Sequence, residues 1–262
     1  MLFMFESMDF TILVIILEYI AITYAFGLIY KLVGWKNSVY IQRNFGWTGY
    51  CVVGSVGVTY HELSHLITAV LFRHKINEVR LFRPFQGRND GTLGYVTHSW
   101  NGRSMFQRIG NFFIGTAPMF LGAGLLFILL QAAYPSAFIS VAHTSEIPGA
   151  LKFTFVNMFV LSNLFTMWTP IVFLIAISIC PYMDMSWADV KGSTSGAITL
   201  IIAALILSLV LGTLGIDVAA QIQSAANTFI AYYIYALVLG LCMSIVMTLF
   251  LGVLSIMRGK GL

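Results

Sequence analysis

Charge is what this sequence has least of. Only 9% of its 262 residues are Asp, Glu, Lys or Arg, while 59% are hydrophobic and the mean hydropathy is +0.88. A soluble domain carries roughly 25% charged residues. Such a shortage of polar surface excludes a free water-soluble globule and implies an integral membrane protein. Cysteine is scarce as well. Cys51, Cys180 and Cys242 lie far apart in apolar runs, which excludes a disulfide framework or a Cys-based metal site and reads as small core hydrophobes. A basic leader is also missing: MLFMFESMDF is acidic, so it does not read as a cleaved signal peptide. A strong charge imbalance is absent, since the net charge is only +4 and gathers near the ends of apolar runs. That excludes nucleic acid as a partner. No internal repeat or low-complexity tract stands out.

What is present is apolar length. Segments near 10–33, 47–72, 109–133, 152–180, 196–215 and 228–257 are each long enough to cross a bilayer, which takes roughly 20 residues per helix. The expected fold is an all-α, multi-pass membrane protein of about six transmembrane helices. An even number of spans puts both termini on one side. That side receives ten of the 14 Lys and Arg residues, most of them in the 73–108 loop. The positive-inside rule makes it cytosolic, in a bacterial-type plasma membrane. Within the loop, 79–85 and 91–100 alternate apolar and polar residues around "GRND". That pattern predicts a small membrane-associated β-hairpin.

The chemistry sits at 57–72, "GVTYHELSHLITAVLF". His61-Glu62-Leu63-Ser64-His65 is HExxH. On a helix, residues four apart share a face, so both imidazoles can reach one ion. Glu62 lies beside a ligand and can take a proton from metal-activated water without binding the metal itself. Three buried ionisable groups in five residues would each cost several kcal/mol in lipid unless paired or ligated. Zinc binding supplies that compensation. Glu18, inside the first apolar run, is a functional suspect on the same ground.

HExxH in a hydrophobic helix, followed by a strand-like loop containing "GYV", resembles the site-2 protease family of intramembrane zinc metalloproteases. The resemblance covers roughly residues 47–195. It implies a catalytic core there, with 1–46 and 196–262 as accessory membrane segments. It further implies hydrolysis of a transmembrane helix or signal-peptide remnant, and a third zinc ligand from an aspartate after a later core helix. Two aspartates stand where that ligand belongs, in "CPYMDMSWADVKG" (180–192). Asp184 follows Pro181 as P-x-x-D. Asp189 closes Ser186-x-x-Asp189, which is also a helix capping box and needs no metal to explain it. Spacing does not separate the two.

Asn111 in "GNFFIGTAP" and Asn163 could hold a substrate carbonyl in an oxyanion role, or simply bond a neighbouring helix. Tyr95 and His98 in the second candidate strand could contact substrate. His74 and His143, at span ends, read as solvated. Pro118 can bend its helix or free a carbonyl. Two other functions fit less well. In one, the site is structural in a non-proteolytic zinc-binding adaptor or transporter-like protein, with a fourth ligand such as His98. In the other, a carrier relays protons through the cluster. The expected partners are a membrane-protein or peptide substrate and the lipid bilayer.

Overall fold

The computed structural model describes residues 10–133, 147–158, 168–216 and 219–259. Its elements run α1 (Thr11–Leu71), β1 (Lys75–Arg80), α2 (Pro84–Asp90), β2 (Tyr95–Ser99) and α3 (Met105–Ala133). They continue with α4 (Ile147–Met158), α5 (Trp168–Ile179), a 3-10 turn (Cys180–Tyr182), α6 (Trp187–Thr213) and α7 (Ala219–Met257). Among the described residues four helices, α1, α3, α6 and α7, are long and apolar enough to cross a membrane.

Six spans are not all recovered among the described residues. The first two expected spans fall on the two arms of α1, 11–45 and 47–71, which meet at the non-helical Gly46 (φ 67°, ψ −167°). Only glycine adopts that conformation readily. The expected fourth span covers part of α4 and all of α5, and residues 159–167 between them lie outside the described residues.

The stretch 34–46 looks like a loop because of Lys36, Asn37, Gln42, Arg43 and Asn44. In the structure Gly34, Asn37, Ile41 and Asn44 are buried, while Lys36, Gln42 and Arg43 are exposed. That is the stripe of an amphipathic helix. The buried polar members face α7. Thr23 meets the Tyr233 hydroxyl, the Tyr30 hydroxyl donates to Leu237 O, Asn37 donates to Ser244, and Asn44 donates to Leu251 O. Seven-residue spacing keeps one face toward a partner helix. Between apolar helices such bonds supply specificity, at about 0.6 kcal/mol each.

Partners that advance together show that arm 11–45 runs parallel to α7. The arm is also parallel to α3, because Tyr19 packs on Phe112 and Gly27 faces Met119. Arm 47–71 is antiparallel to α3. Phe72 packs on Phe113, His65 bonds Ile114 and Tyr60 bonds Pro118. Gly46 therefore folds α1 back on itself.

Arg258 donates to Asn44 O at 2.7 Å. The described ends, Phe10 and Arg258, are thus separated along the arm by roughly 50 Å.

β1 and β2 pair antiparallel, Lys75 with Ser99 through Arg80 with Tyr95. The hairpin exists, with its first strand earlier than expected. Residues 84–90 form helix α2 in place of a strand end and turn, with Pro84 in its first turn and Gly91 (φ 74°) closing it. Trp47 Nε1 donates to Pro84 O at 3.1 Å, and Gly94 abuts Glu62 and Val58. The hairpin therefore lies along arm 47–71. One large apolar core joins both arms, α3, the 3-10 turn and α7 around the fully buried Tyr30, Met119, Met183, Tyr235 and Leu237.

Candidate metal centre

His61 and His65 project from arm 47–71 on one face, one helical turn apart. Each ring is oriented through Nδ1. His61 Nδ1–H donates to Tyr182 O at 2.8 Å, and His65 Nδ1–H donates to Ile114 O at 2.7 Å. Both carbonyls are available for local reasons. In a helix Ile114 O would accept from the residue four positions on, but that residue is Pro118, which has no N–H. Tyr182 ends the 3-10 turn, and the N–H four residues on, from Ser186, is taken by Asp189 Oδ2 at 2.8 Å. The Pro118 expectation is met in its second form: it frees a carbonyl, and a histidine uses it.

With Nδ1 protonated on both rings, both Nε2 atoms carry bare lone pairs. They face each other at 3.1 Å. Two lone pairs at that distance repel unless a cation or a proton lies between them. Asp189 completes the group, with Oδ1 3.4 Å from His65 Nε2 and Oδ2 3.8 Å from His61 Nε2. Ligands about 2.0–2.1 Å from a tetrahedral zinc stand roughly 3.3 Å from one another. The donor set and its spacing therefore fit zinc, and the carbonyl bonds on Nδ1 are the outer support such ligands use. His61, His65 and Asp189 are the only described residues grouped in this way.

Asp189 reaches the histidines because α6 starts where it does. Ser186 is the N-cap, its hydroxyl accepting the Asp189 N–H at 3.1 Å while Asp189 accepts the Ser186 N–H. The capping-box residue and the carboxylate beside the histidines are one residue, so the two readings of Ser186-x-x-Asp189 are compatible. Gly115 permits the approach: a Cβ there would lie 2.6 Å from Asp189 O. Asp184, the other candidate, does not join the group. It lines an adjoining cavity of about 540 Å³ with Lys31, Trp187 and Tyr182, and this second cavity shares His61 and Glu62 with the first.

The first cavity, about 430 Å³, is lined by His61, Glu62, His65, Asp189, Asn111, Tyr95 and His98 among others. It thus gathers every described candidate except Asp184. Glu62 borders both cavities and makes no hydrogen bond to a described residue. Asn111 Nδ2 donates to Ser195 Oγ at 3.2 Å, and the Tyr95 hydroxyl donates to Glu78 at 2.8 Å. Asn163 and His143 lie outside the described residues. Glu18 is exposed and away from the cavity.

His74 corrects another expectation. It is 5% exposed, not solvated, and touches His98 through Nδ1 at 3.0 Å. No periodicity marks it, because it follows the helix end. The nearest local feature is Arg73 in a left-handed conformation (φ 58°), which turns the chain back toward the site.

No protein-family model matches the chain, and neither a curated protein nor a solved structure is significantly similar to it.

Proposed function

We propose that this protein is an intramembrane zinc metalloprotease of the site-2 protease type, cleaving peptide bonds of membrane-embedded segments. The observation that carries the proposal is the convergence of two bare imidazole nitrogens and the Asp189 carboxylate at tetrahedral-edge distances beside the unbonded Glu62. His61, His65 and Asp189 would hold zinc, which when bound polarises a carbonyl and acidifies water. Glu62 accepts the water proton on its carboxylate and returns it to the departing amine nitrogen. Three ligands, with no fourth described His, Cys or carboxylate in the group, suit a site that keeps a position open for chemistry.

The cavity wall supports a peptide substrate. β2 pairs with β1 along one edge, and residues 94–96 and 98 border the cavity. Among the described residues no strand pairs with its other edge. An extended stretch of an unwound transmembrane helix or signal-peptide remnant adds there by backbone hydrogen bonds. Asn111 then offers an amide to the substrate carbonyl as charge develops on it.

The test uses zinc-loaded protein in detergent with a pool of synthetic transmembrane peptides, products being read by mass spectrometry. Wild type should cleave, while Glu62→Gln should hold equal zinc and not cleave. Undiminished cleavage by Glu62→Gln removes Glu62 as the base. Failure of zinc-loaded wild type to cut any peptide removes the protease reading.

A further inference from the structure

A second pair of histidines stands at the cavity edge, outside the metal group. His74 follows α1 directly, and its backbone N–H donates to Ala69 O at 2.8 Å. His98 stands on β2, opposite Ile76, and lines the cavity. The two Nδ1 atoms are 3.0 Å apart, with ring centroids at 4.9 Å. The other nitrogen of His74, Nε2, lies 2.8 Å from Gln107 O in the first turn of α3.

These contacts determine where the protons sit. A carbonyl oxygen only accepts, so His74 Nε2 carries a hydrogen. A neutral imidazole has one N–H, which leaves His74 Nδ1 with a bare lone pair. A 3.0 Å contact between ring nitrogens needs one proton between them, and only His98 Nδ1 can supply it. His98 Nε2 is then unprotonated, and no described residue bonds it. Burial favours this neutral arrangement. Desolvation holds both imidazoles below their ordinary range; for His98 the His74 ring adds to the shift and Asp189 opposes it.

We propose that His74 is a positioning residue that locks His98 in its Nδ1–H form, so that His98 offers the cavity a bare Nε2 which accepts a hydrogen bond from a backbone N–H of an extended peptide. The peptide part rests on the proteolytic reading above. Glu62 and His98 Nε2 are both acceptors, so this part of the wall favours a ligand that presents N–H donors. A peptide lying along β2 presents such donors at every second residue.

Two measurements test the two halves. The first is imidazole 15N NMR of labelled, zinc-loaded protein in micelles. It should show His98 protonated at Nδ1 and bare at Nε2. His74→Phe should move His98 toward the Nε2–H form. A protonated Nε2 in wild type, or an unchanged His98 in His74→Phe, overturns the lock.

The second measurement is the affinity of one synthetic transmembrane peptide in a Glu62→Gln background, where turnover does not interfere. His98→Gln keeps an acceptor near the Nε2 position and should stay within about 2-fold, whereas His98→Asn should bind about 5- to 10-fold more weakly at equal zinc content. Equal affinities for the two variants overturn the acceptor role. The tautomer is read without peptide. A protein that bound no peptide would therefore fail the proteolytic reading while the lock stood or fell by itself.

Discussion

Oδ1 of Asp189 lies 3.4 Å from Nε2 of His65, while the same carboxylate accepts the backbone N–H of Ser186 at 2.8 Å. One side chain thus caps α6 and faces the histidines. Where the helix begins decides where this carboxylate stands. Asp184, five residues earlier on the irregular segment before α6, lines the neighbouring cavity.

Zinc content should therefore separate the two aspartates. Asp189→Ala should lose zinc and destabilise the start of α6 by about 1 kcal/mol. Asp184→Ala should keep one zinc per chain. Ser186→Ala leaves the ligand and removes part of its support, so affinity should fall about 10- to 100-fold, as for other outer-shell losses. Elemental analysis of purified variants and competition with a chelator read all three. Full zinc in Asp189→Ala would remove that residue from the ligand set.

Much of this architecture is legible in the amino-acid sequence. HExxH implies a shared helix face, and long apolar helices follow from composition. What is not legible has identifiable causes. The helical stripe of 34–44 is built partly from Asn37 and Asn44, and buried asparagines look like loop residues until α7 supplies their partners. Asp184 and Asp189 are inseparable by spacing, which does not report that residues 183–186 lie outside any helix while Asp189 lies in a helical first turn. His74 reads as solvated because nothing local reveals that α3 and β2 close over it.

Pro118 should trade helix stability against metal affinity. Pro118→Ala restores an N–H able to bond Ile114 O, and it removes a residue about 3 kcal/mol less favourable than Ala in a helix interior. His65 Nδ1 would then share its acceptor and lose part of its orientation. Thermal stability should hold or rise while zinc affinity falls about 10-fold or more. Calorimetric unfolding and a zinc competition assay on the same preparation check this. Unchanged affinity would mean that His65 does not depend on the freed carbonyl.

Gly46 should tolerate no side chain. Its φ of 67° and ψ of −167° lie where any Cβ is strained, at a cost of about 1–3 kcal/mol. No neighbouring atom lies within 4 Å of a Cβ built there, so strain alone carries the effect. Gly46→Ala should lower the midpoint of thermal unfolding without changing zinc stoichiometry. Gly46→Asn should lose a similar amount, because with ψ at −167° the backbone lies outside the left-handed helical region in which Asn is tolerated. Equal stability of all three proteins would mean that α1 does not need this bend.

The His74–His98 pair predicts a pH dependence with a definite sign. Burial depresses both imidazoles in the folded protein, whereas in the unfolded chain they titrate near about 6.5. As pH falls below that value, the unfolded chain binds protons before the folded one does. The stability that the neutral pair contributes is therefore complete above about pH 6.5 and is lost as pH falls through the depressed folded values. His61 and His65 also titrate, so the informative quantity is the difference in unfolding midpoint between wild type and His74→Phe, in which their contribution cancels. That difference should shrink between about pH 7.5 and about pH 5.5. A gap that stayed constant would show that His74 contributes through packing alone. One that widened toward acid would show a charged ring in the folded state, with the proton between the two histidines coming from His74 instead.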